Sequence, residues 1–340
     1  MAIRSFAVLL SVLGLVAASA GVASAHGLIG QRFLPATLAI DDPFVADELS
    51  LPTVLHIRNR GSDEAPPTLQ TDLSGELSKR LSPNLGLSLG GTYTLLDPIP
   101  GRSTSGFDNM EVSLKYVFWK SPEHETLLSA GVSWDVGGTG SKKIGAESFD
   151  TVTPQLFFGK GFGDLPDAAE WLKPVALTGA LALDFPTRRF NTTYALDDDG
   201  NVQIERELNA KTFNWGFSVQ YSLQYLQSFV RDVGLPAPIN RFIPLVEFAM
   251  QTPVEGRDAG RTTGTVNPGV IWFGRYCQLG IEAVIPVNAM TGKNVGVLAQ
   301  IHFYLDDIAP KIFTWTPFHG VLGPTQPQCR HTYCGWWPCS

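Results

Sequence analysis

The chain has 340 residues, a net charge of −7 and an isoelectric point near 5.4, so it offers no basic face of the kind a nucleic acid needs. After the first residues no stretch of about 18 uncharged apolar residues occurs, which excludes a bundle of membrane-spanning helices. The 34 glycines, 20 phenylalanines, 8 tryptophans and 8 tyrosines, at a mean hydropathy of +0.05, suit a chain of many strands and turns.

Arg4, the apolar run Phe6 to Val16 and the small residues Ala23, Ser24 and Ala25 form the pattern of a secretory signal peptide over 1–25. The mature chain is expected to start at His26. Residues 26–53 hold no sustained period, three prolines and several acids. They are expected to be an irregular lead-in, lying either in the periplasm or in the barrel mouth as a small plug.

Strands follow one after another. Val54 to Arg60 is a short first candidate, and Leu69 to Leu81 and Asn84 to Leu96 make a hairpin about Ser82 and Pro83. Met110 to Phe118 alternates apolar residues with Asn109, Glu111, Ser113 and Lys115, and such charges are tolerated only on a wet face. Thr126 to Val136, Thr151 to Lys160 and Pro174 to Asp184 continue the alternation. Lys211 to Leu223 is the clearest, with Phe213, Trp215, Phe217, Val219, Tyr221 and Leu223 on one face and Asn214, Gly216, Ser218, Gln220 and Ser222 on the other. Asn240 to Thr252, Thr263 to Arg275, Cys277 to Val287 and Asn294 to Leu305 complete the series.

Period two kept over about 9 to 11 residues, apolar on one side and polar on the other, is the signature of a strand crossing a bilayer at a tilt. Connections alternate between mostly short ones and longer ones rich in Gly, Asp, Asn and Thr, the periplasmic turns and outer loops of such a fold. The expected fold is therefore all-β: a transmembrane antiparallel barrel of about twelve strands over 54–307, with periplasmic termini and a Cys-rich tail over 308–340. Closure is required because hydrocarbon offers an unpaired strand edge no partner. The implied location is the outer membrane of a Gram-negative bacterium. Its partners there would be outer-membrane lipid, the barrel-assembly machinery and a small-molecule cargo, with no nucleic acid.

The segment Val266 to Pro310 carries a family resemblance. Asn267, Pro268 and Gly269, then Ile285 and Pro286, then Leu305, Asp306 and Asp307 resemble the last three strands of the family known as the MetA pathway of phenol degradation, a group of outer-membrane transporters. The resemblance implies passage of small hydrophobic or aromatic compounds. It departs from that pattern after Phe318, where the chain continues instead of stopping on an aromatic residue.

The alternation puts His56, Arg58, Glu76, Glu111, Lys115, Glu247, Glu282, Gln300 and His302 in the lumen, together with Asp135 and Asp184, an acidic set. First and last strands become neighbours on closure, so His56 and His302 are expected to face one another across the seam as a polar pair rather than as a metal site. Cys277, Cys329, Cys334 and Cys339 would share one side of the membrane in an oxidising compartment, which makes them candidates for disulfides. The spacing of CRHTYC does not favour zinc, and no metal is expected. GKGFGD at 159–164 lacks the spacing of a phosphate loop, DDDGN at 197–201 lacks that of a calcium loop, and no G-x-S-x-G or H-E-x-x-H occurs. No cofactor and no enzymatic activity are expected. The expected function is a channel or transporter for small molecules. The alternatives are a structural or partner-anchoring barrel and, less supported, a lipid-modifying enzyme.

Overall fold

The structure is a computed structural model that describes residues 27–61, 66–196 and 202–318. Twelve antiparallel strands follow in chain order: β1 (Glu48–Asn59), β2 (Thr68–Ser82), β3 (Leu85–Pro98), β4 (Met110–Ser121), β5 (Thr126–Val136) and β6 (Thr151–Gly161), then β7 (Val175–Pro186), β8 (Thr212–Tyr221), β9 (Phe242–Pro253), β10 (Thr263–Phe273), β11 (Cys277–Pro286) and β12 (Gly296–Tyr304). Each pairs with its sequence neighbours, and β12 pairs with β1, so the sheet closes and keeps no free edge. The fold is the all-β, twelve-stranded transmembrane barrel that the alternation predicts, and its place is the outer membrane.

The apolar residues of the alternation point outward. Leu156 and Ile281 are each 53% exposed, and Phe118, Trp134 and Leu89 lie on the same surface. A soluble sheet would cover such a surface with a second layer, and here lipid covers it.

The connections divide by end. At one end lie the tight β2–β3 turn, a single 3-10 turn at Pro122–His124 and the three residues between Phe273 and Cys277, together with two longer connections containing short helices at Asp167–Leu172 and Leu223–Val230. Both described ends of the barrel, Glu48 and the Leu305–Ile308 and Pro310–Phe313 turns after β12, lie at this turn end. The other six connections lie at the opposite, loop end. The longest of them carries a hairpin, Phe190–Leu196 paired with Val202–Leu208.

If the loop end faces outward from the cell, trypsin added to intact cells should cut at the exposed Arg188 and Arg189 and spare Arg330, which lies in the tail outside the described residues. Cutting at Arg330 with Arg188 and Arg189 untouched would invert the orientation.

The first strand departs from its expected start at Val54. It begins at Glu48 and contains a bulge between Ser50 and Thr53, at Pro52, where the register shifts against both β12 and β2. One extra residue reverses the side on which every later residue of the strand falls. Glu48 and Ser50 point into the lumen. Beyond the bulge Leu55 pairs with the buried Leu298, while His56 pairs with Thr71 and with the outward Val297. His56 and Arg58 are therefore on the outer face, a correction to their expected place in the lumen. His56 bonds Thr71 Oγ1 through Nδ1 at 2.8 Å and does not meet His302.

Candidate functional site

The lumen is occupied by the chain's own residues 27–47. This segment has no period because it forms almost no regular structure, only the two-residue pairing of Leu28–Ile29 with Arg32–Phe33. It enters at the turn end, rises to an apex about Leu38 to Asp41, and returns to Asp47, where β1 begins. Small residues of the wall make room for it. A Cβ added at Gly280 would lie 2.5 Å from Leu38 Cδ1, one at Gly216 2.8 Å from Ile40 Cδ1, one at Gly159 2.9 Å from Leu34 Cδ1, and one at Gly86 2.8 Å from Val45 Cγ1. These are closer than any real Cβ could stand, so four inward glycines on β11, β8, β6 and β3 are the recesses into which the plug's side chains fit.

Polar contacts fasten it at three levels. At the apex Ala39 N–H donates to Glu247 Oε2 at 2.6 Å. Midway, Lys115 Nζ donates to Asp42 O and pairs with Asp41 Oδ2, both at 2.7 Å, and Gln278 Nε2 donates to Ala36 O at 2.5 Å. At the turn end Arg32 is 0% exposed. Its Nε meets Glu125 Oε2 at 3.1 Å, its Nη1 donates to Pro174 O at 2.9 Å, and its Cζ lies 3.6 Å from the centre of the Tyr225 ring. Tyr225 Oη donates in turn to Glu125 Oε1 at 2.9 Å.

Arg32 Nη2 also donates to Lys173 O, so the socket draws Lys173 and Pro174 from one long turn-end connection, Tyr225 from the other and Glu125 from the short 3-10 turn, which explains the two long connections. Burial pushes the Arg32 guanidinium down, opposed by Glu125, and burial with the adjacent Glu125 carboxylate holds the Tyr225 hydroxyl well above its ordinary range. Where the plug passes into β1, the buried Asp47 is gripped by Lys79 Nζ and Arg80 Nε, each at 2.7 Å, and Arg80 Nη2 reaches Asp306 Oδ2 at 2.7 Å. Burial raises the Asp306 carboxyl to about 7 in spite of Arg80.

Above the apex, toward the loop end, lies a cavity of about 730 Å³. Its floor is Ala39, Ile40 and Asp41, and its wall mixes polar side chains, among them Ser133, Thr153, Gln155 and Asn214, with apolar ones such as Phe157, Trp215 and Met250. Four carboxylates line it: Asp41 from the plug and Glu111, Asp135 and Asp184 from the wall. Glu111 and Asp135 stand directly opposite on β4 and β5, and Asp184 accepts from Thr153 Oγ1 at 2.9 Å and Asn214 Nδ2 at 2.8 Å. The one ion pair formed by this set among the described residues is Lys115 with Asp41, so the cavity is acidic on balance.

The remaining sequence candidates are distributed around the plug. Glu76 points inward from β2, opposite Ser50, and accepts from Ser78 Oγ at 3.0 Å. Glu247 and Glu282 are 0% and 2% exposed against the apex, and Gln300 gives Nε2 to Thr53 Oγ1 at 3.1 Å. His302 is 2% exposed, with Nδ1 bonded to Ser50 Oγ at 2.8 Å and Nε2 to Glu48 Oε2 at 3.0 Å. Cys277, at the start of β11, is unpaired among the described residues, and Cys329, Cys334 and Cys339 lie outside them.

Arg32 and Glu125, the most deeply buried ion pair of the site among the described residues, were not singled out from the sequence. Arg32 sits in a stretch without period and Glu125 in a short turn, and only their contact reveals them.

A closed, apolar-coated barrel with a polar, acidic interior defines an outer-membrane β-barrel protein. The solved structures to which it is similar are of that class. The COG4313 outer membrane channel from Pseudomonas putida F1 is 13% identical with a TM-score of 0.50, covering 76% of this chain and 96% of that one. The KdgM porin in complex with disordered oligogalacturonate is 10% identical with a TM-score of 0.40, covering 74% and 98%. The TodX monoaromatic hydrocarbon channel is 9% identical with a TM-score of 0.39, covering 77% and 91%. At such identities the likeness concerns the fold alone. No protein-family model matches the chain, and no curated protein matches it in sequence.

Proposed function

We propose that this barrel is a channel for small hydrophilic solutes, held shut by residues 27–47 and opened when they leave the lumen. The observation that carries this reading is the acidic cavity of about 730 Å³ directly above the plug apex, a vestibule whose floor belongs to the removable element. Short polar side chains and carboxylates in a low-dielectric wall concentrate cations and repel anions. Aromatic cargo, the expectation that comes with the MetA-pathway resemblance, would find Ile40, Phe157, Trp215, Met250 and Met290 in that lining, but would have to sit among four carboxylates. Kinship with that family rests on the three C-terminal strands and is part of the same proposal.

In a planar bilayer the channel should prefer cations. The preference should fade as salt approaches 1 M, where screening shortens to about 3 Å. Asp135→Asn with Asp184→Asn should reduce it while the barrel still migrates as folded. A barrel that conducts neither as the full chain nor without residues 27–47 would leave the anchoring alternative standing.

A further inference from the structure

Beneath the plug apex the wall carries a polar group that the transport reading does not use. Glu247 on β9 lies directly opposite Asn267 on β10, and Gly269, two residues further along β10, lies opposite Glu282 on β11. All three side chains point inward and are buried, at 0%, 1% and 2% exposed for Glu247, Asn267 and Glu282. The missing side chain at Gly269 decides where Glu282 goes. A Cβ there would stand 2.4 Å from Glu282 Cγ, so the glutamate leans across β10 and brings its carboxyl beside the Asn267 amide and the Glu247 carboxyl. Four buried oxygens gather there with no partner at full hydrogen-bond geometry, Glu247 Oε1, Glu282 Oε1 and Oε2, and Asn267 Oδ1, although the Asn267 amide lies beside Glu282 and Thr37 and the Leu38 N–H lie beside Glu247. The other oxygen of Glu247 is the one that receives Ala39 N–H.

Two carboxylates cannot both stay ionised side by side in a buried site without a compensating positive charge. No lysine, arginine or histidine contacts either of them among the described residues. A proton shared between the carboxyls would serve one pair of oxygens and leave the others unsatisfied. A hard cation engages carboxylate and amide oxygens together, from several directions, and completes its shell with further oxygens such as water.

We infer that Glu247, Asn267 and Glu282 form a binding site for a hard divalent cation of the calcium type in the barrel wall. By fixing Glu247, the ion also fixes the acceptor on which the plug apex rests. This site is independent of whether the barrel conducts, because binding is read on the closed protein.

Calcium itself is the probe. The full-length protein, folded in detergent and dialysed against chelator, should take up one calcium ion per chain at this site and unfold at a higher temperature with calcium than without. Glu282→Gln should lose that ion and the thermal shift together. Asn267→Asp, which adds a charged oxygen ligand, should bind calcium about tenfold more tightly.

Equal calcium uptake by wild type and Glu282→Gln would place the ion elsewhere and overturn the inference. So would a wild-type protein whose unfolding temperature ignores calcium and rises on acidification, the behaviour of a carboxyl pair that shares a proton. In that case Asn267→Asp would destabilise the protein whether or not calcium is present.

Discussion

Removing residues 27–47 should convert a barrel that is shut most of the time into one with a steady open conductance, raising the time-averaged current by on the order of tenfold or more. Twelve strands enclose more than the packed interior of an eight-stranded barrel and less than the wide channel of a porin, so what fills the lumen decides whether water is continuous through it. Here the filling is a single covalent segment, and the strands that surround it pair fully without it. The truncated protein should therefore still fold to a heat-modifiable barrel, since each strand keeps its ladder.

A finer version of the same test uses one residue. Arg32→Ala leaves the Glu125 carboxylate, whose side chain is 6% exposed, with only the donors from Tyr225 and the Gly163 backbone. Breaking a buried pair in this way costs roughly 3 to 5 kcal/mol, and water reaching Glu125 as the plug shifts would recover part of it. A loss of about 3 kcal/mol favours the open state by on the order of a hundredfold, since each 1.4 kcal/mol is a factor of ten. Single-channel recording of Arg32→Ala should show many more openings of the same unit size. Equal open probability in wild type and Arg32→Ala would show that the Arg32 socket does not hold the plug.

The barrel was legible in the sequence because its cause is local. A strand with lipid on one side and a lumen on the other must alternate, and from Lys211 to Leu223 every second residue records it. What was not legible depends on contacts between distant parts of the chain. Residues 27–47 show no period because their partners are scattered over most of the wall, Gly86 and Gly280 among them, and nothing in the segment announces those recesses. Ser218 was read as lumen-facing and does point inward, yet it is 0% exposed, since the lumen at its height is filled by protein and not by water. The two long turn-end connections exceed the short turns of a simple barrel because Arg32 docks against both, on Pro174 and on Tyr225. The misplacement of His56 and Arg58 has the smallest cause, a bulge at Pro52, since one unpaired residue inverts everything after it.

Substitution on the two faces of β6 should have opposite consequences at neighbouring positions. Leu156 is 53% exposed on the outer surface, while Gln155, one residue before it, lines the vestibule, with Nε2 3.5 Å from Ser133 Oγ. Leu156→Arg places a guanidinium in hydrocarbon, at a cost of about 2 to 4 kcal/mol near the middle of the bilayer. That is a large share of the stability of a typical fold. Gln155→Arg places the same group among Asp135, Asp184 and Glu111, where water and carboxylates meet it. It loses one long hydrogen bond and gains opposite charges close by, so its cost should stay below about 1 kcal/mol. Urea titration of the refolded protein in lipid vesicles, followed by the heat-modifiable band, measures both. Its midpoint should fall steeply for Leu156→Arg and hardly at all for Gln155→Arg. The second variant should also weaken the cation preference, because the added charge neutralises the acidic vestibule at its wall. Equal destabilisation by the two would mean that the outer surface of β6 is not in contact with lipid, and the outward face drawn from Leu156 would have to be abandoned.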